Sequence, residues 1–449
     1  MSPDRLSDLT QALLDAARKA GAEAADALAL DGTSLSIGVR NAALEEAERA
    51  EGTDIGLRVL VGQRQACVSA SDTSPNTLAA MAERAVAMAR EAPEDPHIGL
   101  ADPADLCRDR DATGLDLADP AAEPAPDHLR DLACRVEAAA LAHQGISQVS
   151  SAQATYSRRR VHLAASNGFS GGYTRTGTGL SCVAITGTGT GMERDHFGDM
   201  RVYAADLLSP EEIGTTAAER TLARAGARQP KTGSYPVLFD ERIAATLIGH
   251  LLGAVNGTAI ARGASWLRDA LDQPVLPAGL DLIEDPRKRR GHSSRPFDAE
   301  GLAATPRAIV RDGVLQGWTL DLATARRLGL SSTASAARGP SSPPSPSVTN
   351  VALTQGAQTP AELMAQMGTG LLVTGLIGAT INPTTGDYSR GASGLWIENG
   401  VPAYPVNECT IAGNLRDMLG RLIPANDARP HLSRVVPSLL VEGMTLAGA

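Results

Sequence analysis

A chain of 449 residues exceeds one ordinary core, so two or three domains are expected; 43% hydrophobic and 20% charged residues exclude a disordered chain. The formal net charge of −10 argues against a duplex nucleic-acid partner, whose phosphates call for a basic face. Aromatics are only 3%, so stacking platforms are scarce and the core must rest on Leu, Val, Ile and Ala.

In chain order, Ser2-Pro3-Asp4 starts a helix with a capping hydroxyl, a first-turn proline and an acid near the positive dipole end. Leu6, Leu9, Leu13 and Ala17 recur at helical spacing, and Gly21 ends the helix. Strand-like runs follow, the clearest being Ile55 to Val59 with period two. Ser74-Pro75 opens a second helix carrying Leu78, Met81, Ala85 and Met88 on one face. Residues 1–92 therefore read as an N-terminal α/β domain. Pro93, Pro96, Pro103, Pro120, Pro124 and Pro126 mark 93–126 as a linker. A helix over Asp127–His143, a strand over Tyr156–Ala164, a hairpin turn at Ser166-Asn167-Gly168, a Thr/Gly-rich strand pair and a helix over Pro210–Arg224 make 127–228 a central antiparallel α+β unit. From 229 to 449 the pattern is mainly β. Tyr235–Phe239 is a strand and Asp240–Gly253 a helix. Short β runs follow at Leu280–Ile283, Ala308–Arg311, Gly370–Leu376, Gly394–Glu398, Thr410–Ala412 and Ser438–Val441, interrupted by a helix over Pro360–Met367. The fold class is α+β. By composition, the Pro/Ser stretch Gly339 to Ser347 reads as a flexible surface loop; the alternative is an extended segment lining a cleft.

The Met1-Ser2-Pro3-Asp4 start lacks the basic and apolar regions of a signal peptide. The most apolar stretch, Gly370 to Ile381, is shorter than the roughly 18 to 20 residues that span a bilayer. A cytoplasmic protein with no membrane and no nucleic-acid partner is expected. The basic run Arg287-Lys288-Arg289-Arg290 reads as a solvated loop.

Common catalytic signatures are missing. There is no GxxxxGK[ST] and no GxSxG, and the glycines of Gly177-Thr178-Gly179 and Gly187 to Gly191 sit among strands. The five cysteines are scattered and odd in number, which speaks against a disulfide framework. None of the eight histidines falls in HExxH or HxH. His250 closes an apolar helix, where the dipole favours it.

Longer motifs are more specific. Gly386-Asp387-Tyr388-Ser389-Arg390-Gly391-Ala392, running to Trp396-Ile397-Glu398-Asn399-Gly400, joins Thr410-Ile411-Ala412-Gly413-Asn414-Leu415, Arg295-Pro296-Phe297-Asp298-Ala299-Glu300-Gly301 and Met367-Gly368-Thr369-Gly370-Leu371. In order and spacing these resemble the signatures of the TldD/PmbA family, over nearly the whole chain. The TldD-like branch resembles a zinc peptidase with HExxxH on a helix and a cysteine ligand near the C-terminus. Residues five apart on a regular helix point about 140° from each other, so two such histidines converge only where the turn widens, as in a π-bulge. The Glu would act as general base on zinc-bound water.

The corresponding window here is degenerate. Ala245 holds the first ligand position, Thr246 the general-base position, and only His250 remains. Glu241, nine residues earlier, lies on the opposite face. Cys409 reads as a small hydrophobe; Ser335 stands where many relatives carry a histidine, and His292 receives no role. The resemblance is thus to the PmbA/TldE branch. It implies a non-catalytic subunit that binds no cofactor itself and pairs with a TldD-like subunit, or forms a homodimer. The zinc would sit in the partner, and small or unfolded peptides would be the substrates. The family description "modulator of DNA gyrase" then reflects those peptides and not DNA binding. Asp387, Tyr388, Ser389 and Arg390, with Asp387 and Arg390 as a charged pair, are the candidate peptide-cleft residues. Two alternatives stay open: a self-sufficient metallopeptidase using His250, Cys409 and His292, and a peptide-binding homodimer without catalysis.

Overall fold

The computed structural model describes residues 3–449, apart from the side chains at 3–4 and 379–380. The capping roles read for Ser2 and Asp4 lie outside the described residues. The first half of the chain forms one six-stranded antiparallel sheet. Its strands are β1 (Ala24–Arg40), β2 (Ala43–Val61), β3 (Arg64–Ala70), β4 (Ile146–Ala165), β5 (Ser170–Thr186) and β6 (Glu193–Arg201), in the order β3-β2-β1-β4-β5-β6. Four helices pack on one face of it: α1 (Pro3–Ala20), α2 (Pro75–Glu91), α3 (Pro126–Leu141) and α4 (Pro210–Leu222). Because side chains alternate along a strand, Ala25, Ala27 and Ala29 of β1 meet α1 and α2, while Leu35, Ile37 and Val39 further along the same face meet α3 and α4. The residues read above as an N-terminal and a central domain therefore share one sheet, joined along β1–β4 from Asp26↔Ala165 to Val39↔Ala152. Each keeps its own helix pair and apolar cluster.

Two local expectations change. Met88 is 43% exposed, and Ala89 is buried in its place; ten residues beyond Leu78, Met88 has rotated about 80° off the apolar stripe. Ile55 to Leu60 of β2 are buried on both faces instead of alternating. The second face is covered by the Pro/Ser stretch, which is not a flexible loop. Pro340 runs so close to β2 that a Cβ on Gly56 would stand 2.2 Å from its carbonyl oxygen.

The C-terminal region supplies β7 (Gly233–Phe239), α5 (Glu241–Ala254), α6 (Gly257–Ala261), β8 (Leu282–Glu284), β9 (Arg307–Arg311), β10 (Val314–Leu315), α7 (Leu322–Leu328), β11 (Ala336–Ala337), β12 (Ser345–Pro346) and β13 (Val351–Leu353). Then come α8 (Pro360–Met367), β14 (Gly370–Ile381), β15 (Asp387–Glu398), β16 (Val401–Asn414), α9 (Leu415–Gly420), β17 (Ile423–Pro424), β18 (Arg434–Val435) and β19 (Leu439–Ala447). A six-stranded sheet runs β16-β15-β14-β7-β19-β17, and β16 also pairs with β19. β7, β14, β15, β16 and β19 thus close a ring. A second sheet, β10-β9-β8-β13-β18, and the short pair β11-β12 complete the region. The buried residues of α5 join side chains from both larger sheets in one core. Among the described residues no helix is long and apolar enough to cross a membrane.

The basic run is a clasp and not a solvated loop. Arg289 and Arg290 both pair with Asp116 of the linker, at 3.0 and 2.8 Å, and Arg290 also holds Asp206 at 2.8 Å while stacking over Tyr203. Arg287 pairs with Asp109, and Lys288 donates to the carbonyls of Pro430 and Leu432. The Tyr203 hydroxyl, and next Arg290, hold the Asp116 carboxyl down to about 2, from 3.8.

Asp116 binds its proton less readily folded than unfolded, so its contribution is complete above about pH 4 and disappears as pH falls from 3.8 through 2. Asp116→Asn should therefore lower Tm near pH 6, with the gap to wild type closing by pH 2. Gly56→Ala should cost about 1–3 kcal/mol by urea denaturation, because backbone must move. Gly52→Ala, with nothing within 4 Å, should stay within about 0.5 kcal/mol.

Candidate functional site

Asp240 caps α5, its side chain accepting from the Arg242 amide at 3.1 Å. Ala244, Leu247, Ile248 and Leu251 bury one face, which fixes the rotation of the helix. The window residues lie beside that face. Ala245 packs against the core as a hydrophobe. The Thr246 hydroxyl donates to Ile243 O at 2.6 Å, inside its own helix. His250, half-buried, meets Tyr388 edge-on with ring centroids 5.9 Å apart.

Tyr388 and Arg390 lie two apart on β15, hence on one face, and both approach His250. Arg434 of β18 comes from another direction, its guanidinium 3.0 Å from where a Cβ on Gly249 would stand. Burial, then Arg390 and Arg434, lower the His250 pKa, and burial pushes the Tyr388 phenol up to about 12. His250 Nε2, Tyr388 Oη and Arg390 Nε are buried and find no hydrogen-bond partner among the described residues. Asp387 and Arg390 do not pair. Three apart on a strand, they point to opposite faces, and Asp387 is instead held by Thr385 at 2.6 Å and Asn414 at 3.2 Å. Ser389, half-buried, sits on Asp387's side of the strand, opposite Ala412. Arg434 carried no signal in the sequence: it lies far from the window in the chain, outside every motif read.

The other candidates are dispersed. Cys409 is buried on β16, its thiol donating to Ala392 O at 3.3 Å and pushed up to about 11 by burial. The His292 ring nitrogen contacts Met200 O at 3.0 Å. Glu241 pairs with Arg429 at 2.8 Å, and the Ser335 hydroxyl lies 3.0 Å from that of Thr333. Among the described residues no group of three or more His, Cys, Asp or Glu is placed to hold a metal ion. The window does not fit zinc: one imidazole remains, and its charged neighbours are cations that repel a second cation.

The unpartnered phenol gives a direct check. Tyr388→Phe removes a buried hydroxyl that makes no well-formed hydrogen bond, so only its approach to the Arg390 guanidinium is lost. Its stability should be unchanged or raised by about 1 kcal/mol, measured by thermal and urea denaturation.

The chain matches the PmbA/TldA metallopeptidase descriptions for domain 1 over residues 25–89, the central domain over 119–225 and the C-terminal domain over 232–448. It is 36% identical to the metalloprotease PmbA of Escherichia coli, covering 93% of this chain and 90% of that one. It is 35% identical to the metalloprotease PmbA homolog of Haemophilus influenzae, covering 97% and 94%. A crystal structure from Bacteroides thetaiotaomicron, provisionally described as a modulator of DNA gyrase, superposes over the full length of both chains with a TM-score of 0.92 at 26% identity. The α+β fold, the shared domain series and this identity over almost the whole length show that the chain belongs to the PmbA/TldD family of metallopeptidases.

Proposed function

We propose that this chain is the non-catalytic, PmbA/TldE-type subunit of a cytoplasmic zinc peptidase that cuts small or unfolded peptides. One observation carries the reading. At the positions a zinc site requires, the chain has an alanine packed against the core and a threonine bonded within its own helix, and two arginines flank the remaining histidine. The partner is a TldD-like subunit that brings the zinc and the general base. This chain supplies shape and a peptide-binding surface, to which Arg390 contributes while the buried Tyr388 packs beneath it.

The test is zinc content and cleavage of a casein-type substrate, for the chain alone and after mixing with a TldD-like subunit. The expected result is neither zinc nor cleavage alone, and both in a stable complex, with cleavage by the mixture falling less than about threefold in His250→Ala, since no zinc ligand is lost from this chain. One zinc per isolated chain, with cleavage abolished in His250→Ala, would make the chain a peptidase in its own right. A stable homodimer that neither binds a TldD-like subunit nor cleaves would leave peptide binding without catalysis.

A further inference from the structure

The sheet face opposite the four helices carries a cavity separate from the metal window. β1, β4 and β5 build its floor in register, Leu28 beside Leu163 and Leu30 beside Val161, which in turn faces Tyr173. The C-terminal region supplies the wall, from Arg295 to Ala299 and from Ala337 to Arg338. The space is about 270 Å³, and Arg159 in its lining is exposed to solvent. That is near the lower end of volumes that hold small ligands.

Its chemistry is two-sided. Leu28, Leu30, Val161, Leu163 and Phe297 form an apolar bed, and the lining also holds Arg159, Arg175, Arg295 and Arg338 with one acid, Asp298. Asp298 already accepts from the amides of Glu300, Leu302 and Ala336, and burial pushes its carboxyl up. Arg175 donates to the carbonyls of His292 and Ser294. Arg295 donates to Ala336 O at 2.8 Å and Ser347 O at 3.4 Å, which leaves its buried Nε without a partner among the described residues.

Arg338 is the decisive group. Its side chain is 1% exposed, and its Nη1 pairs with Asp26, a carboxylate that also holds Arg58. Its Nη2 is buried and has no partner among the described residues. Asp26 is shared by two buried guanidinium groups, and Glu300 and Asp321 act on Arg58 alone, so the free Nη2 of Arg338 is the group left to meet an acceptor in the adjoining cavity.

We propose that this cavity binds the C-terminal carboxylate of a peptide whose last side chain is apolar. Arg338 and Arg295 take the carboxylate, Leu30, Val161 and Phe297 surround the side chain, and the rest of the peptide leaves past Arg159. The apolar bed favours such a terminus over a simple anion, and the volume suits about one residue. The inference rests on the peptide-binding part of the proposed function and adds which end of the peptide is held.

The test uses the full chain without a partner, so it depends on neither zinc nor cleavage. A fluorescein-labelled, unstructured octapeptide ending in leucine is titrated by anisotropy, as the free acid and as the C-terminal amide. The free acid should bind saturably and the amide at least about tenfold more weakly. Arg295→Gln and the cavity-filling Leu30→Phe, each checked for an unchanged Tm, should weaken the acid by a similar factor. N-acetyl-leucine should compete, and inorganic phosphate at the same concentration should not. Equal binding of acid and amide, no saturable binding of either, or equal competition by phosphate would each overturn the assignment. Zinc-dependent cleavage in a complex with a TldD-like subunit, together with any of those three results, would remove the carboxylate site and leave the subunit reading standing.

Discussion

Asp26 lies on β1 directly opposite Arg58 on β2, and Arg338 reaches the same carboxylate from the C-terminal region. Desolvating each of these ions costs several kcal/mol, which the attraction of the one carboxylate for both guanidinium groups offsets in part. Burial lowers the pKa of both guanidinium groups, that of Arg338 to about 10. Arg338 joins the Asp26–Arg58 pair from the C-terminal region, so the triad ties the two halves of the chain together at this point. The rest of that face follows. Pro340, two residues beyond Arg338, crosses β2 where residue 56 has no side chain. The Phe297 ring meets Phe169 and Tyr173 edge-on at 4.9 and 5.7 Å.

The same economy of charge marks the second contact and the degenerate window. Arg289 and Arg290 converge on Asp116, so the Pro-rich linker is bound along the C-terminal region instead of hanging between domains. At α5, Arg390 and Arg434 face His250, and neither is paired with a carboxylate among the described residues. A surface of this kind suits acceptor groups such as peptide carbonyls and carboxylates better than a metal ion.

Much of the architecture was legible because it is local. Ser74-Pro75 opens a helix as read, the helices read from Pro210 and Pro360 start there behind caps at Ser209 and Thr359, and Gly168, at φ +95°, makes the hairpin turn read at Ser166-Asn167-Gly168. Contacts between distant segments were not legible. Period-two reading cannot foresee that β2 is buried on both faces, because Pro340 arrives from far along the chain. Composition suggests a mobile Pro/Ser loop, yet Arg338 anchors it by a charge pair that no local pattern encodes. At the site, the loss of metal ligands at Ala245 and Thr246 could be read directly. The pairing proposed for Asp387 and Arg390 ignored strand alternation, and Arg434 could not be found without the fold.

The ring of β7, β14, β15, β16 and β19 has a consequence for synthesis. β7 emerges from the ribosome about 200 residues before β19, which must lie beside it. At typical elongation rates that is roughly 10 to 40 seconds. The first sheet, complete once residue 201 has emerged, can form in that interval, but the part of its second face over β2 stays bare until Pro340 appears. During that time β7 carries an open edge and α5 lacks most of its core. A chain lacking β19 cannot close the ring, and it leaves β7 and β16 with unpaired edges of the kind that invite pairing with other chains.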